Sequence, residues 1–343
     1  MNYPIDIVIA WVDGNDPKWQ QTKALYEAPK NIIANNNPKT SIDNTIQRYR
    51  DWENLQYLFR GIEKFAPYVR TIHFVTCGHL PSWLNTKASK LHIVNHSDYI
   101  PEQYLPTFNS SCIELNFHRI DGLSENFIYF NDDFFLTKKT KPQDFFIDGF
   151  PRDMLALQPV VANPRNPTMS HIFLNHSLVL CKHFDKRSNM KKQPGKYFKL
   201  GYPPMYFIYN MLELAFPLFT GFYTIHGPSP LCKSTLQQIW EKEYELLDNT
   251  CKHRFRHKED VHQYLIREWQ KLSGNFVASN VHKFLKYFDA GNNNKAIYQA
   301  ITKQKYKMIC LNDPCFDIDF ETGKATIIRA FEKILPDKCS FEI

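Results

Sequence analysis

The chain has 343 residues, 43% hydrophobic and 22% charged, an ordinary composition for a globular protein and one that excludes a disordered or fibrous chain. That length serves one large domain, or a core with a lobe inserted in it. The net charge of +7 is spread along the chain, densest at residues 182–199 and 252–258; it favours anionic partners such as diphosphates, acidic glycans or anionic lipid headgroups and falls short of a nucleic-acid signature.

Aromatic residues make up 15% of the chain, with 27 Phe, 18 Tyr and 6 Trp, enough for a deep core and for ring-lined surfaces that stack on sugars or bases. The eight cysteines contain no CxxC pair, which argues against a zinc ribbon or a thioredoxin-like site. Met1 leads directly into a strand-like run with no secretory pattern, and no apolar run approaches the ~20 residues of a membrane helix. Reduced thiols in a cytoplasm are the expectation.

In chain order, residues 5–12 form a β-branched apolar run broken only by Asp6, the pattern of a buried strand, and stop at the turn signal Asp13-Gly14-Asn15-Asp16-Pro17. Open α/β sheets build ligand sites by delivering carboxylates to strand ends in this way. Residues 31–43 are polar and Asn-rich, and read as a mobile loop. Within 49–65, Trp52, Leu55, Leu58, Phe59 and Ile62 fall at helical spacing, closed by Pro67. Residues 71–76 and 91–95 read as strands, and 127–130 as a fourth that runs into Asn131-Asp132-Asp133. This order predicts a Rossmann-like α/β core over residues 1–150. Residues 151–222 form a variable region with few landmarks, where acceptor choice would reside; its basic, turn-rich part, 182–204, reads as a flexible active-site flap. Residues 223–343 form a mainly helical C-terminal lobe completing the site, with helices over 234–247, 259–272 and 323–335 and a turn at Leu311-Asn312-Asp313-Pro314.

Two acidic turns follow strands: Asp13 with Asp16, and Asp132 with Asp133. Transfer of a diphosphate-linked group needs a divalent cation on the oxygens, and magnesium is held by one or two carboxylates plus the substrate phosphates. Such sequences also serve as plain turn formers. The pair at 132–133 is the more specific, because adjacent charges at an apolar strand end are costly unless something offsets them. His226 lies on a Gly-Pro turn, Ile225-His226-Gly227-Pro228, and histidine has the intrinsic basicity of a general base. Arg254-Phe255-Arg256-His257-Lys258-Glu259-Asp260 mixes cations that could grip phosphate with acids that could favour a helix start, or forms a solvated helix face.

The opening run Ile5-Asp6-Ile7-Val8-Ile9-Ala10-Trp11-Val12-Asp13-Gly14-Asn15-Asp16-Pro17-Lys18-Trp19 closely resembles the first signature block of the Stealth family, which contains bacterial capsular polysaccharide phosphotransferases and the catalytic subunit of animal N-acetylglucosamine-1-phosphotransferase. A second block runs from Arg48-Tyr49-Arg50-Asp51 through Leu105-Pro106-Thr107-Phe108-Asn109-Ser110 and His118-Arg119-Ile120 to Phe127-Ile128-Tyr129-Phe130-Asn131-Asp132-Asp133. A looser third resembles His226-Gly227-Pro228 with Arg256-His257-Lys258-Glu259-Asp260, and a short fourth Cys310-Leu311-Asn312-Asp313.

The resemblance implies a GT-A-like nucleotide-sugar fold and transfer of a hexose-1-phosphate, usually from a UDP-sugar, to a glycan or lipid-linked glycan hydroxyl in capsular or exopolysaccharide synthesis. The long insertions of the animal enzyme are absent, so its lysosomal-enzyme recognition does not carry over. By chemistry, Asp132 and Asp133 are assigned to Mg2+, with Mn2+ as substitute. His226, Asp13, Arg256 and Asp313 are assigned to catalysis, and Arg50, Asp51, Arg119, Asn131 and Asn312 to substrate binding. Arg50, Arg119 and Arg256 would offset phosphoryl charge as UMP leaves. His226 would take the acceptor proton, a covalent phospho-histidine being the variant. Two alternatives stay open: a metal-dependent GT-A glycosyltransferase releasing UDP, and a non-catalytic glycan- or nucleic-acid-binding protein. The strand-end acids oppose a nucleic-acid groove, because they repel a phosphate backbone unless a metal intervenes. The charge is compatible with a peripheral position at the inner face of the plasma membrane.

Overall fold

The structure, a computed structural model, describes residues 3–27, 50–164, 166–314 and 319–343. The loop expected at 31–43 and the start of the helix expected from residue 49 lie outside the described residues. The strands that matter for the site are β1 (Ile5–Ala10), β2 (Ile72–Thr76), β3 (Leu91–Asn95), β4 (Asn126–Asn131), β5 (Phe134–Leu136), β6 (Ser229–Cys232), β7 (Leu285–Asp289) and β8 (Met308–Asn312).

The main sheet has the order β6-β4-β1-β2-β3, parallel throughout except that β6 runs against β4. Parallel strands covered on both faces need near-continuous apolar runs, which is what β1, β2 and β4 supply. A second sheet, β7-β8-β5, begins where the first ends, because β4 turns at Asp132-Asp133 directly into β5. Helix Leu55–Phe65 lays Leu55, Leu58, Phe59, Ile62 and Phe65 on the core. Gly61 lets that helix approach closely, since a Cβ there would stand 2.9 Å from the Leu136 carbonyl oxygen.

The α/β architecture expected from the sequence is present, and the C-terminal part is mainly helical while also lending β6 to the main sheet. Several element boundaries differ, each for a physical reason. The helix expected over 234–247 is two helices, Lys233–Lys242 and Tyr244–Lys252, broken at Glu243, whose carboxylate accepts from Lys182 Nζ at 2.6 Å and from His183. The helix expected from 259 starts at Tyr264, because Asp260 is drawn inside to accept from the His257 amide, His253 Nδ1 and Asn109 Nδ2. The closing helix is Phe320–Ile334, capped by Asp319. The turn expected at 311–314 is the end of β8, and a strand, β6, separates His226 from the next helix. Residues 182–204, expected as a flexible flap, instead form packed helices Lys186–Lys192 and Pro194–Tyr197 seated by buried Lys186, Met190 and Tyr197. The long helix Pro167–His183 had no sequence expectation; its apolar residues are not confined to one face.

Asp6 is the one charged residue inside β1, fully buried, and every demand of its carboxylate is met. Arg70 Nε donates to it at 2.8 Å, His73 Nε2 at 3.2 Å and the Ser124 amide at 2.8 Å, which ties β1 to β2 and to the approach to β4. Burial pushes this carboxyl up, and the bonds from His73, Arg70 and Ser124 outweigh that, holding it well below the usual carboxylate range. A depressed folded value means the stabilisation is full above about pH 4, where the unfolded carboxyl is ionised, and is lost as pH falls through the folded value. Asp6→Asn is expected to cost at least about 1.5 kcal/mol, the low end for a bond to a charged group because Arg70 is half exposed. Urea midpoints of wild type and variant should differ near neutrality and begin to converge only as pH falls below about 4; equal midpoints near neutrality would contradict this role.

Candidate active site

Parallel strands all end on one side of a sheet, and here those ends carry the acids. Ala10 of β1 is in register with Asn131 of β4, so the Trp11-Val12-Asp13 turn leaves the sheet beside Asp132 and Asp133. Strand β6, being antiparallel, starts opposite Tyr129, and the residues just before it, His226-Gly227-Pro228, therefore project toward the same end. Cys310 of β8 pairs with Phe134 of β5, and the Leu311 amide donates to the Asp133 carbonyl at 2.9 Å, which brings Asn312 and Asp313 to this edge as well.

At the centre, His226 Nε2 lies 3.3 Å from Asp133 Oδ2, both side chains half-buried. The ring is held from three sides. Its Nδ1 is 2.6 Å from the Tyr264 hydroxyl, its edge meets Phe134 at 4.8 Å, and Arg267 donates to the carbonyl of the preceding residue, Ile225, at 2.9 Å. Arg267 is itself buried and forks onto Asp153 at 2.8 and 2.9 Å. The Cys310 thiol donates to Asp133 Oδ2 at 3.3 Å, and burial followed by the charge of Asp133 pushes that thiol far up, so it stays protonated.

Asp133 Oδ1 is buried with no hydrogen-bond partner among the described residues. Asp132, its neighbour, has its carboxyl pushed up to about 7, first by the surrounding protein and then by the charge of Asp133. Its outer surface remains open to water, so solvent tempers the extent while the direction stands. An orphaned buried carboxylate oxygen beside a second, destabilised carboxylate fits a divalent cation, which would satisfy the one and offset the other. Asp133, His226 and Cys310 place potential ligand atoms within 4.8 Å of one another. With the thiol protonated and His226 Nδ1 taken by Tyr264, the carboxylate oxygens are the donors left for an ion, and they suit a hard cation rather than a thiolate-bound one.

The other sequence-derived candidates fall into place unevenly. Arg50 forks onto Asp313, Nε to Oδ2 at 2.9 Å and a terminal nitrogen to Oδ1 at 2.6 Å, with Trp52 Nε1 adding a bond at 3.1 Å. Asn312 donates to the Asp313 carbonyl at 3.1 Å. Asp13 takes the Asn15 amide on its carboxylate, and its own amide donates to His79 Nε2 at 2.6 Å. Asp16 is a helix cap, accepting from the Trp19 amide. Asp51 accepts from the Glu53 amide, and its charge adds to the rise at Asp132. Arg256 donates to Ser110 Oγ at 2.7 Å and its charge, with that of His226, bears on buried Glu114. Arg119 is turned elsewhere: it donates to Asn116 Oδ1 and lies 5.1 Å over the Trp240 ring, on the helix that starts at the amino end of β4. Tyr264, Arg267 and Cys310 were missed as site residues. Cys310 could have been found from its place beside Asn312-Asp313, whereas nothing local marks Tyr264, 38 residues from the histidine it holds.

Two conserved regions of the Stealth proteins match this chain, region 1 at residues 3–28 and region 2 at residues 48–152. Over 338 residues the chain is 38% identical to a capsular polysaccharide phosphotransferase, WcwK, of Streptococcus pneumoniae, covering 98% of both chains. It is 38% identical to the receptor polysaccharide phosphotransferase WefC of Streptococcus gordonii, covering 99% of both. It is 34% identical to the exopolysaccharide phosphotransferase cps2G of Lactiplantibacillus plantarum, covering 99% of this chain and 96% of the relative. Among solved structures it aligns with the galactosyltransferase LgtC in complex with donor and acceptor sugar analogues, at 10% identity, 96% coverage of both chains and a TM-score of 0.41. Identity of this degree over at least 98% of each chain places the protein: it is an enzyme of the Stealth family, among the bacterial polysaccharide phosphotransferases.

Proposed function

We propose that the chain transfers a hexose-1-phosphate, of the N-acetylhexosamine type, from a UDP-sugar to a glycan hydroxyl, forming a phosphodiester and releasing UMP during capsular or exopolysaccharide synthesis. The observation that carries this reading is a histidine nitrogen 3.3 Å from Asp133, a carboxylate whose other oxygen is buried with no partner among the described residues. The names of the polysaccharide phosphotransferases it resembles support the reaction class. Magnesium, or manganese in its place, bound at Asp133 with Asp132 would neutralise the diphosphate oxygens of the donor.

The chain's own groups then divide the work. His226 Nε2 takes the proton of the acceptor hydroxyl, and Asp133 stabilises the imidazolium that forms. The acceptor oxygen bonds to the sugar-bearing phosphorus, the bond from that phosphorus to the bridging oxygen breaks, and UMP departs with that oxygen. Tyr264 fixes the ring so that Nε2, not Nδ1, faces the reaction. Arg256 supplies positive charge toward the phosphoryl oxygens. Arg50 acts through Asp313, which it holds in a two-pronged bond; Asp313 and Asn312 with Asp13 would position the donor's ribose or sugar. A pocket of about 430 Å3 lined by Gln158, Asn166, Ser170, Phe222, Tyr223 and Thr224 would seat the acceptor, since Thr224 is two residues from His226.

Incubation with a panel of UDP-sugars, acceptor glycan and Mg2+ should yield UMP together with a phosphodiester resonance in the phosphorus NMR spectrum, both abolished by EDTA. Release of UDP would instead mean glycosyl transfer. His226→Ala should lower kcat at least about 10²-fold with donor KM little changed; a near-normal rate removes His226 from the mechanism. Tyr264→Phe, which deletes only the hydroxyl on Nδ1, should cost roughly tenfold in kcat, and an unaltered rate would show that the ring needs no such support.

A further inference from the structure

Among the described residues, one surface stretch outside the acidic turns is unusually apolar. Residues 200–218 contain one charged side chain, Glu213, and it points inward. On helix Pro204–Leu212, Tyr206 and Asn210 face the core, Asn210 bonding to the Leu157 amide and to the Leu155 and Tyr197 carbonyls. The opposite face is no more polar. Met205, Ile208, Met211 and Leu212, at three- and four-residue spacing, stand open to solvent, Ile208 at 53% and Leu212 at 60%. The display continues through Leu214, Phe216 and Leu218, and Leu200 is 93% exposed.

This outward display is held in place from beneath. Lys186, itself buried, donates to the Glu213 carboxylate at 2.6 Å, to the Glu213 carbonyl at 2.7 Å and to the Leu218 carbonyl at 2.9 Å. Spending a buried cation on the backbone of this segment leaves its apolar side chains no inward option. Helix Pro167–His183 adds exposed Leu174 and Leu178, and its Cys181 bonds to the Phe219 carbonyl, so it borders the same patch. A contiguous apolar surface of this kind on a folded chain marks an interaction site.

The border of the patch says what covers it. Residues 182–199 carry Lys182, Lys186, Arg187, Lys191, Lys192, Lys196 and Lys199 against a single acid, Asp185; Arg187, Lys191, Lys192 and Lys199 are exposed. Lysine is depleted at protein–protein contacts, whereas apolar side chains flanked by a lysine- and arginine-rich helix suit an anionic bilayer, where burial and headgroup attraction add together. No helix among the described residues is long and apolar enough to cross a membrane. We propose that helix Pro204–Leu212 with residues 214–218 docks into the surface of an anionic phospholipid bilayer, the basic helix Lys186–Lys192 resting on the headgroups. The patch joins Thr224 and His226 through the short segment 219–223. A membrane-held acceptor would thus be presented near His226, a consequence that rests on the functional reading above, whereas the docking itself does not.

Flotation of the full chain with vesicles of phosphatidylcholine alone, or with added phosphatidylglycerol, tests this. The wild type should float with the anionic vesicles and far less with the neutral ones. The triple variant Ile208→Ser, Met211→Ser, Leu214→Ser should lose binding at least about tenfold, and Lys191→Gln with Lys192→Gln should weaken it and blunt its salt dependence. All replaced side chains are exposed, so both variants should keep the wild-type Tm and the wild-type release of nucleotide with a soluble acceptor. Wild type remaining unbound with both vesicle types, or a triple variant that floats as well as wild type, overturns the proposal. So does a concentration-dependent dimer that the triple variant abolishes without any vesicle binding, which would make the patch a contact between copies.

Discussion

One strand pairing arranges the rest: β6 is laid antiparallel against β4, with Ser229 opposite Tyr129. Every other strand of that sheet is parallel and brings its carboxyl end to one edge, where the turn after β4 is acidic. An antiparallel neighbour is the one connection that can bring a preceding loop, and so His226, back to that edge. The second sheet adds β8 on the far side of the same turn, and the helix that supports the loop follows β6 in the chain. Tyr264 and Arg267, on successive turns of one buried helix, hold the histidine ring and the carbonyl before it. The site's side chains thus sit on turns and a loop that strands and a buried helix hold in place.

Two half-buried or buried acids show how the same residue type serves structure in one place and chemistry in another. Asp6 is matched by a guanidinium, an imidazole and an amide, so burial costs are met and nothing is left over for a ligand. Asp133 accepts from Cys310 and faces His226 on one oxygen, and its other oxygen has no partner among the described residues. Beside it, Asp132 is held with a raised proton affinity. A folded protein carries such an unmet charge only where something bound completes it or where strain is put to use. The contrast between these two carboxylates is the electrostatic basis for reading the edge as a cation and diphosphate site.

Much of this was legible in the sequence because β-branched runs and acidic turns are local signals. Strands β1, β3 and β4 lie where the apolar runs put them, and the acids follow β4 as expected. What was lost depends on long-range contacts. Glu243 breaks a continuous helical pattern because Lys182 and His183 reach it from another helix, and Asp260 delays a helix start because buried partners claim its carboxylate. The basic stretch after residue 182 looked like a mobile flap, yet Lys186 is buried as a staple, a use of lysine that composition cannot reveal. Its place in a signature block and its charge grouped Arg119 with the phosphate-binding cations, while its Trp240 contact turns it aside. Tyr264 carries no local mark at all, since its role exists only once the helix packs against His226.

The central claim is spatial: donor diphosphate, Asp133 and His226 meet at the carboxyl edge of the main sheet. Crystals grown with a UDP-sugar and Mn2+, with the manganese located by anomalous scattering, test it most directly. The account predicts the ion held by Asp133 with Asp132 and the sugar-bearing phosphorus facing His226 Nε2. Nucleotide and manganese bound away from Asp133 and His226 would contradict it.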